Sequence, residues 1–407
     1  MTLILPPPVT ALLDRLTRAG HRAHVVGGCV RDLLRGVSPG DYDITTDALP
    51  EQMKMVFADC RTIDTGLRHG TVTLLYEGVP YELTTYRIDG AYLDSRHPDT
   101  VSYTRDLHLD LARRDFTVNA MAYHPATGLT DPFGGRADLA QRLVRAVGDP
   151  ALRFAEDALR ILRALRFAAV LDFTVEAHTE CAMRAAAETL RHISAERVRE
   201  ELLKLLDGQA VGRVLLTYRP VLAAVLPELP GPDGLALTAD AVTRLPTGTP
   251  LRLAALLQGT PDPAGTAARL RLDRRTAEHL STLCAMAELP LPDTESQTLR
   301  YLSRYGVPAC RDSITLGAAF AAARGRTEQP YRHWQSILER MLAEGRCYRL
   351  SMLAIDGEAL AAHGIPRGKT MGRLLDALLE AVMAGEIGNT RQALLAHARR
   401  LAAAETP

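Results

Sequence analysis

The chain has 407 residues, which at roughly 100–200 residues per domain predicts about two to four domains. Lysine plus arginine and aspartate plus glutamate each number 48, so the formal net charge is zero. This balance excludes a uniformly basic, histone-like protein but leaves room for a local basic surface. Hydrophobic residues at 47% and charged residues at 24% exclude a disordered chain and predict an ample folded core.

The six cysteines are widely spaced, with no CxxC pair and no Cys/His cluster. We therefore expect neither a zinc site nor a disulfide framework, and we expect a reducing, cytoplasmic compartment. The N-terminal segment MTLILPPPVTALLDRL has no basic region followed by an apolar run, so it does not match a signal peptide. No apolar run approaches about 18 residues, and no membrane-spanning helix is predicted.

The chain changes character near residue 150. The predicted elements before it are strands at 23–26 and 42–45, a short helix at 28–36, and a hairpin of 70–76 and 79–85 that turns at Glu77-Gly78. The rest is rich in Ala, Leu and Arg with helical periodicity, interrupted by proline and glycine segments. The predicted fold class is α+β, with a mixed β-sheet and helices first and an all-α remainder.

The first motif that predicts chemistry is GGCVRD at 27–32, which is followed by GDYD at 40–43. A strand leads into the glycine pair and a helix leaves it, so backbone N–H groups and Arg31 could bind nucleotide phosphates. Alternation along the next predicted strand places Asp41 and Asp43 on one face. Two adjacent carboxylates are typical of a divalent-cation site, and Mg²⁺ is the expected ion.

Each feature alone has a simpler interpretation, because an isolated DxD is more often two solvated aspartates and a glycine pair a tight turn. Together they favour a nucleotide site over a dinucleotide-binding fold, since GGCVRD is not GxGxxG and no acidic residue follows at the required distance. A third carboxylate, Glu82, is predicted on a strand and faces away from Val79 and Leu83. It either completes the metal site and helps to deprotonate a hydroxyl, or it is solvated.

Several motifs follow one another in the order of a known family. GGCVRDLLRGVSPGDYDITTDALP precedes RRDFTVNAMAY at 113–123, DPFGGRADL at 131–139 and EDALRILRALRFAA at 156–169. They resemble the class II tRNA nucleotidyltransferases (CCA-adding enzymes) and the bacterial poly(A) polymerases. The segment IDGEALAAHGIPRGKTMGRLLDALLEAV at 355–382 is similar, less closely, to the C-terminal part of the CCA-adding branch.

The resemblance implies four domains. They are a nucleotidyltransferase head at 1–148, a helical neck that reads the base at 149–210, a helical body at 211–345 and a tRNA-binding helical tail at 346–407. The resemblance also implies contacts of Gly28 and Arg31 with nucleotide phosphates and of Asp41 and Asp43 with metal ions. Arg114 and Asp115 match the motif that distinguishes ribose from deoxyribose, where a carboxylate can accept from the 2′-OH. Without the resemblance, residues 113–115 are more simply an ion pair at a helix start.

Residues 156–167 are predicted to form a helix with an apolar stripe of leucines. Asp157 and Arg160, three residues apart, then lie side by side on another face, as an acceptor beside a fork of donors. The resemblance implies that this pair reads C or A without a template; the simpler interpretation is a solvated salt bridge. The same helix places Arg163 next to Arg160 and Arg166 opposite Asp157, so a nucleotide-binding role of Arg166 follows from the resemblance alone.

Residues 86–110 are predicted to form a polar loop near the site. RHPD at 96–99 resembles the basic-then-acidic element of a loop in CCA-adding enzymes, and favours addition of the terminal A. Gln258-Gly259 stands where an appended phosphohydrolase domain would carry His-Asp, which predicts that this domain is absent. VVGGCVRD also lacks the basic GRRF-like start of poly(A) polymerases, which favours tRNA over mRNA tailing.

The sequence therefore predicts a template-independent enzyme that adds CCA to the tRNA 3′ end from CTP and ATP, with Mg²⁺, and releases pyrophosphate. Addition of only A or only CC, or poly(A) polymerase activity, is the alternative within the class. An inactive RNA-binding protein on the same scaffold is the alternative from another class. The sequence leaves the oligomeric state open.

Overall fold

The computed structural model describes residues 2–64, 66–67, 70–89, 101–248 and 250–404. The chain divides into two compact units, residues 1–229 and 230–407. The first unit combines a β-sheet with helices, and the described part of the second unit is helical. The predicted α+β fold class is confirmed, while the finer division into four domains stays a prediction.

The first unit is built on a seven-stranded mixed sheet with the strand order β3-β4-β5-β2-β1-β8-β9. The strands in chain order are β1 (Ala23–Val26), β2 (Ile44–Thr46), β3 (Arg61–Ile63), β4 (Thr71–Tyr76), β5 (Val79–Thr85), β6 (Arg87–Asp89), β7 (Val101–Tyr103), β8 (Ala122–His124), β9 (Gly128–Thr130), β10 (Leu143–Val144) and β11 (Thr174–Val175). Within the large sheet β2 and β5 are parallel, and the other neighbours are antiparallel. The parallel register of β2 and β5 determines which residues of β5 lie beside the start of β2.

Helices surround this sheet and continue beyond it. They are α1 (Pro7–Arg18), α2 (Gly28–Leu34), α3 (Pro50–Val56), α4 (Leu107–Ala112), α5 (Gly135–Gln141), α6 (Pro150–Glu156), α7 (Leu159–Leu171), α8 (Ala177–Ala185), α9 (Ala195–Leu206), α10 (Val211–Thr217) and α11 (Arg219–Leu222). The apolar face of α1 is fully buried in the core under the sheet, together with Val25 and Leu83. Burial of these side chains anchors the strands that carry the site.

The second unit is formed by α12 (Pro232–Arg244), α13 (Leu251–Leu257), α14 (Pro263–Arg269), α15 (Arg274–Ala287), α16 (Glu295–Ala323), α17 (Gln329–Ala343), α18 (Gly357–Ala362), α19 (Lys369–Ala384) and α20 (Arg391–Ala404). The long helix α16 is interrupted at Gly306, whose φ of 79° is one that glycine adopts without strain. Trp334 and Leu338 of α17 lie in the core of this unit. In the part of the chain that the structure describes, no helix is long and apolar enough to span a bilayer.

Most predicted elements of the first unit are confirmed, with shifted ends. Strand β1 and the hairpin of β4 and β5 are present, and Glu77 and Gly78 both have positive φ, as a tight hairpin turn requires. The strand predicted at 42–45 is wrong at its start, because β2 begins only at Ile44. Asp41 and Asp43 therefore precede the strand, although the Asp43 carbonyl still accepts a hydrogen bond from the Val26 N–H.

The single helix predicted over 156–167 is also wrong. Helix α6 ends at Glu156, Asp157 has extended backbone angles (φ −147°, ψ 103°), and α7 begins at Leu159. The Asp157 side chain accepts from the Leu159 N–H at 3.0 Å, so it competes with the helix for a backbone donor. The leucine stripe is confirmed, since the side chains at 159, 162 and 165 are all buried in α7.

His24 on β1 predicts a stability that depends on pH. Its Nδ1 lies 2.9 Å from the Tyr86 hydroxyl, and its ring meets that of His124 edge to face. Burial, with the nearby His124 and Arg22, lowers the pKa of His24 to about 4, so the unfolded chain binds more protons between about pH 4 and 6.5. We expect the free energy of unfolding to fall as pH drops below 6.5, by up to about 1.4 kcal/mol per pH unit.

Urea unfolding at pH 7 and pH 5 measures this effect. We expect the His24→Gln variant, which cannot take up the proton, to lose less stability over this interval than the unmodified protein. Equal losses in both proteins would contradict the assignment to His24.

Candidate nucleotide-binding site

The glycine pair forms a sharp turn between β1 and α2. Gly27 has φ 79°, and a Cβ atom there would lie 3.0 Å from Nη1 of Arg114. Gly28 is the first residue of α2, and a Cβ there would meet Arg31 at an ordinary 3.6 Å. The backbone conformation favours glycine at position 27, and a Cβ atom there would also displace the end of the Arg114 side chain. The sequence analysis singled out Gly28, whereas the structure shows that Gly27 is the glycine with positive φ.

Arg31 is held in place by three neighbours. Its guanidinium donates to the Asp32 carboxylate at 2.9 Å and to Asn119 Oδ1 at 2.8 Å. It also lies 5.4 Å from the centre of the Phe167 ring. These contacts fix the direction of the side chain beside the glycine turn, so Arg31 is preorganised for an anionic ligand.

The three predicted acidic residues meet at the start of β2. Ile44 of β2 pairs with Leu83 of parallel β5, so Asp43 and Glu82, one residue earlier on each chain segment, stand level. The side chains of Asp41, Asp43 and Glu82 are all exposed. Strand β5, which carries Glu82, is therefore the neighbour of the segment that carries the two aspartates.

The acidic neighbours of Asp43 affect its pKa. Loss of hydration, followed by the negative charges of Asp41 and Glu82, raises the pKa of Asp43 to about 6, while Arg114 acts in the opposite direction. A bound cation would relieve the repulsion, and carboxylate oxygens are the donors that hard divalent cations prefer. No three His, Cys, Asp or Glu side chains within the described ranges form a complete metal cage. The chemistry of the Asp41 and Asp43 donors, two carboxylates close together, fits a hard divalent cation.

Arg114 lies against the glycine turn, and Asp115 follows it in the chain. The Arg114 guanidinium is 3.6 Å from the buried carboxylate of Asp110, and burial lowers the pKa of Arg114. Asp110 also accepts from Arg113 at 2.9 Å and from Thr45 at 3.1 Å. The buried Asp110 carboxylate thus orients Arg113 and Arg114. The sequence analysis did not identify this role.

Asp115 is 8% exposed and surrounded by donors. One oxygen accepts from the Phe116 N–H and from Asn119, and the other accepts from Nε and Nη2 of Arg163. Burial would raise the pKa of Asp115, but the Arg163 charge and these hydrogen bonds outweigh it and hold the pKa at about 2. Because a carboxylate has about four acceptor positions, a ribose 2′-OH would have to replace one of these donors.

The structure does not pair Asp157 with Arg160. Asp157 forms an ion pair with Arg197 of α9 at 2.7 Å, and Arg160 donates to Glu156 at 2.9 Å and to the Arg113 carbonyl at 3.1 Å. The predicted side-by-side arrangement is wrong because the chain leaves the helix at Asp157. Arg160 nevertheless contacts the segment that carries Asp115, through the backbone carbonyl of Arg113.

The predicted separation of Arg166 is also wrong. The Arg166 guanidinium lies 4.3 Å from the centre of the Phe167 ring, and Arg163 lies 5.7 Å from the same ring. Both arginines approach the buried carboxylate of Glu201 on α9, at 3.1 Å for Arg166 and 3.7 Å for Arg163. Three-residue spacing within α7 brings them to one side, whereas the prediction took its reference direction from Asp157, which is outside the helix.

The partners of these arginines were missed by the sequence analysis. Arg197 and Glu201 are four residues apart on α9, so both face α7. A charged pair at this spacing, on a helix with a strong apolar face, was a usable signal for a polar contact with another helix. The polar loop predicted at 86–110 is wrong at both ends, where β6, β7 and the start of α4 lie. Its RHPD element at 96–99 lies outside the described residues, so that part stays a prediction.

These features define the class. A mixed sheet carries a glycine turn, adjacent acidic residues and semi-buried arginines, which is the arrangement of a nucleotidyltransferase head. The model of the Poly A polymerase head domain matches residues 23–145. Models of an RNA- and SrmB-binding site of polymerase A and of tRNA nucleotidyltransferase domain 2 match residues 172–230 and 268–398.

Relatives that align over nearly the whole chain show which nucleotidyltransferase family it belongs to. The chain is 37% identical over 400 residues to the CCA-adding enzyme of Geobacillus stearothermophilus, covering 96% of each chain. It is 36% identical to the CCA-adding enzyme of Levilactobacillus brevis, covering 95% of each. The chain belongs to the family of CCA-adding enzymes, and the predicted resemblance is confirmed. Members of this nucleotidyltransferase family normally use divalent metal ions.

Solved structures agree with this membership. The crystal structure of the Bacillus stearothermophilus CCA-adding enzyme in complex with CTP is similar with a TM-score of 0.82 and 32% identity, covering 98% of this chain and 99% of that one. The Thermotoga maritima CCA-adding enzyme complexed with tRNA_CCA has a TM-score of 0.69 at 23% identity, covering 98% and 97%. At that lower identity the second comparison supports the fold alone.

Proposed function

We propose that this chain adds C, C and A in turn to the 3′ end of tRNA, with CTP and ATP as donors. The observation that carries the proposal is the near full-length identity of 37% to a CCA-adding enzyme, together with a head that keeps the glycine turn and the acidic residues. The six cysteines are all unpaired, which supports a reducing compartment, and we place the reaction in the cytoplasm.

In each cycle the tRNA 3′-oxygen would attack the α-phosphorus of the nucleotide. The new bond joins this oxygen to phosphorus, the bond to the β-phosphate oxygen breaks, and pyrophosphate leaves. Asp41 and Asp43 would hold a divalent cation, Mg²⁺, whose charge would favour ionisation of the 3′-OH and departure of pyrophosphate. Glu82, exposed and level with Asp43, is the carboxylate that could receive the 3′-OH proton.

The remaining residues would position the nucleotide. The backbone at Gly28 and the fixed guanidinium of Arg31 would contact the phosphates, and Arg114 with Asp115 would recognise the ribose. Asp157 and Arg160 would read the base edge, and Arg163 and Arg166 would complete the nucleotide-binding set. To contact the base, Asp157 would have to give up its ion pair with Arg197. Arg160 would likewise have to give up its ion pair with Glu156.

Single-nucleotide extension tests the proposal. tRNA transcripts ending before the first C, after C and after CC are each incubated with only CTP or only ATP. We expect CTP to extend the first two transcripts and ATP to extend the third. Extension restricted to CTP would indicate a CC-adding enzyme, extension restricted to ATP an A-adding enzyme, and binding without extension an inactive RNA-binding protein.

The loop predicted at 86–110 offers a separate test, which targets residues 94–99. Shortening these residues should slow addition of A to a CC-ended tRNA far more than addition of C, because the RHPD element resembles a loop associated with A addition. Rates of single A and single C addition measure the effect. An equal loss for both nucleotides would show that the loop serves both steps.

A further inference from the structure

Phe167 of α7 lies among three arginines. The guanidinium of Arg166 lies 4.3 Å from the centre of its ring, that of Arg31 5.4 Å and that of Arg163 5.7 Å. A cation within about 6 Å over an aromatic ring is attracted by the negative charge of the ring face. Arg31 belongs to α2 and the other two arginines to α7, so the ring joins the helix after the glycine turn to α7.

The ring of Phe167 is itself held in place. Phe167 is 7% exposed, and its ring meets that of Phe116 edge to face, with centres 5.7 Å apart and 81° between the planes. Aromatic pairs of this geometry are favourable beyond the area that they bury. Phe116 donates its backbone N–H to the carboxylate of Asp115. The segment that carries Asp115 therefore also fixes the position of the Phe167 ring.

The three guanidinium groups repel one another. Burial, followed by the positive charge of Arg163 and with a smaller contribution from Arg31, lowers the pKa of Arg166. Arg163 and Arg166 both approach Glu201, whereas Arg31 donates to the carboxylate of the next residue. The ring of Phe167 is a partner common to all three arginines, and its face offsets part of their repulsion.

These arginines keep hydrogen-bond donors for a ligand. In the part of the chain that the structure describes, Arg31 donates three hydrogen bonds and Arg166 one, whereas a guanidinium has five N–H donors. The side chains of Arg31, Arg166 and Arg163 are 12%, 14% and 32% exposed, so each reaches solvent. Several guanidinium groups at one place suit a polyanion such as a triphosphate, because their hydrogen bonds to phosphate oxygens are charge-assisted.

We propose that Phe167 is a positioning residue whose ring holds Arg31, Arg163 and Arg166 together as one binding surface for the triphosphate of the incoming nucleotide. The inference rests on the proposed function, which supplies CTP or ATP as that nucleotide. Phe167 acts through the three guanidinium groups and not by contact with the phosphates. Loss of the aromatic face should therefore weaken the binding of any ligand that carries a triphosphate.

Isothermal titration of the full chain with CTP and with inorganic triphosphate measures this role. Phe167→Leu keeps an apolar side chain but removes the aromatic face, so we expect both Kd values to rise by roughly 5- to 30-fold. Phe167→Tyr restores a ring and should keep both Kd values within about twofold of the unmodified protein. Replacing Phe167 by 3,4,5-trifluorophenylalanine nearly preserves its size but withdraws charge from the ring face, and should raise both Kd values by about threefold or more.

Phe57→Leu is the matched control. Phe57 is a buried phenylalanine in the core under the sheet, and the guanidinium of Arg15 lies 4.7 Å from the centre of its ring. We expect this variant to lower the melting temperature and to leave both Kd values within about twofold. If Phe167→Leu fails to fold, the trifluorinated protein replaces it, because its ring has nearly the native size.

Both readouts are binding constants, so they do not depend on nucleotide transfer. An unmodified protein that binds inorganic triphosphate but extends no tRNA would contradict the proposed function alone. Unchanged affinities in a folded Phe167→Leu protein, or a trifluorinated ring that supports binding as tight as the native ring does, would overturn the inference about Phe167. Failure of the unmodified protein to bind inorganic triphosphate would overturn it as well.

Discussion

Replacing Asp43 by asparagine should lower kcat/KM for nucleotide addition by at least about 10²–10³-fold, because the variant loses an anionic oxygen donor for the cation. The fold should not suffer. Loss of hydration, followed by the negative charges of Asp41 and Glu82, raises the pKa of Asp43 to about 6, so removing the charge of Asp43 favours the folded state. We expect the melting temperature of Asp43→Asn to equal or exceed that of the unmodified protein.

A matched control separates the site from a general loss of negative charge. Glu51→Gln removes one exposed carboxylate from the first turn of α3 and should leave turnover unchanged. Steady-state rates at saturating Mg²⁺ and the thermal melting curves of both variants are the measurements. Near-normal turnover by Asp43→Asn would contradict the assignment of Asp43 as a ligand of the cation.

The second large effect concerns the choice of base. Asp157→Asn keeps an amide oxygen that can accept from the Leu159 N–H but replaces the other carboxylate oxygen by a donor. If Asp157 reads the base edge, the preference among CTP, ATP, UTP and GTP should change by about 5- to 150-fold, the equivalent of roughly 1–3 kcal/mol. The measurement is kcat/KM for each nucleotide on a tRNA that ends before CCA.

Arg197→Gln is the control for this experiment. It breaks the same ion pair from the α9 side and leaves the Asp157 carboxylate in place. We expect it to lower stability while base preference stays within about twofold. Equal changes of preference in both variants would assign Asp157 a structural role, in which the ion pair only holds α7 against α9.

The sequence predicted the order of elements well where local signals agreed. Alternating apolar residues on either side of Glu77-Gly78 predicted β4 and β5, and the glycine pair predicted the turn before α2. The sequence could not predict that Asp43 and Glu82 lie side by side, because this depends on the parallel pairing of β2 with β5. Strand pairing across 39 residues is a long-range property that local periodicity does not contain.

The arginines of α7 show where sequence reasoning failed. Periodicity alone continued the helix back through Asp157, because a side chain that accepts a backbone hydrogen bond leaves no periodic signal. The direction of Arg163 is set by Asp115, 48 positions before it, and that of Arg166 by Glu201, 35 positions after it. Buried ion pairs of this kind depend on how chain segments pack against each other. The structure therefore places the predicted arginines in one region, but the sequence did not predict which carboxylates they pair with.

The measurement that tests the central claim most directly is the 3′-terminal sequence of a tRNA after incubation with all four nucleotides and Mg²⁺. For an enzyme that completes the tRNA end, products from a transcript lacking CCA should terminate at CCA, with no further addition. Tails of several adenylates would instead indicate a poly(A) polymerase. An unextended 3′ end, with the tRNA still bound, would contradict catalysis by this chain.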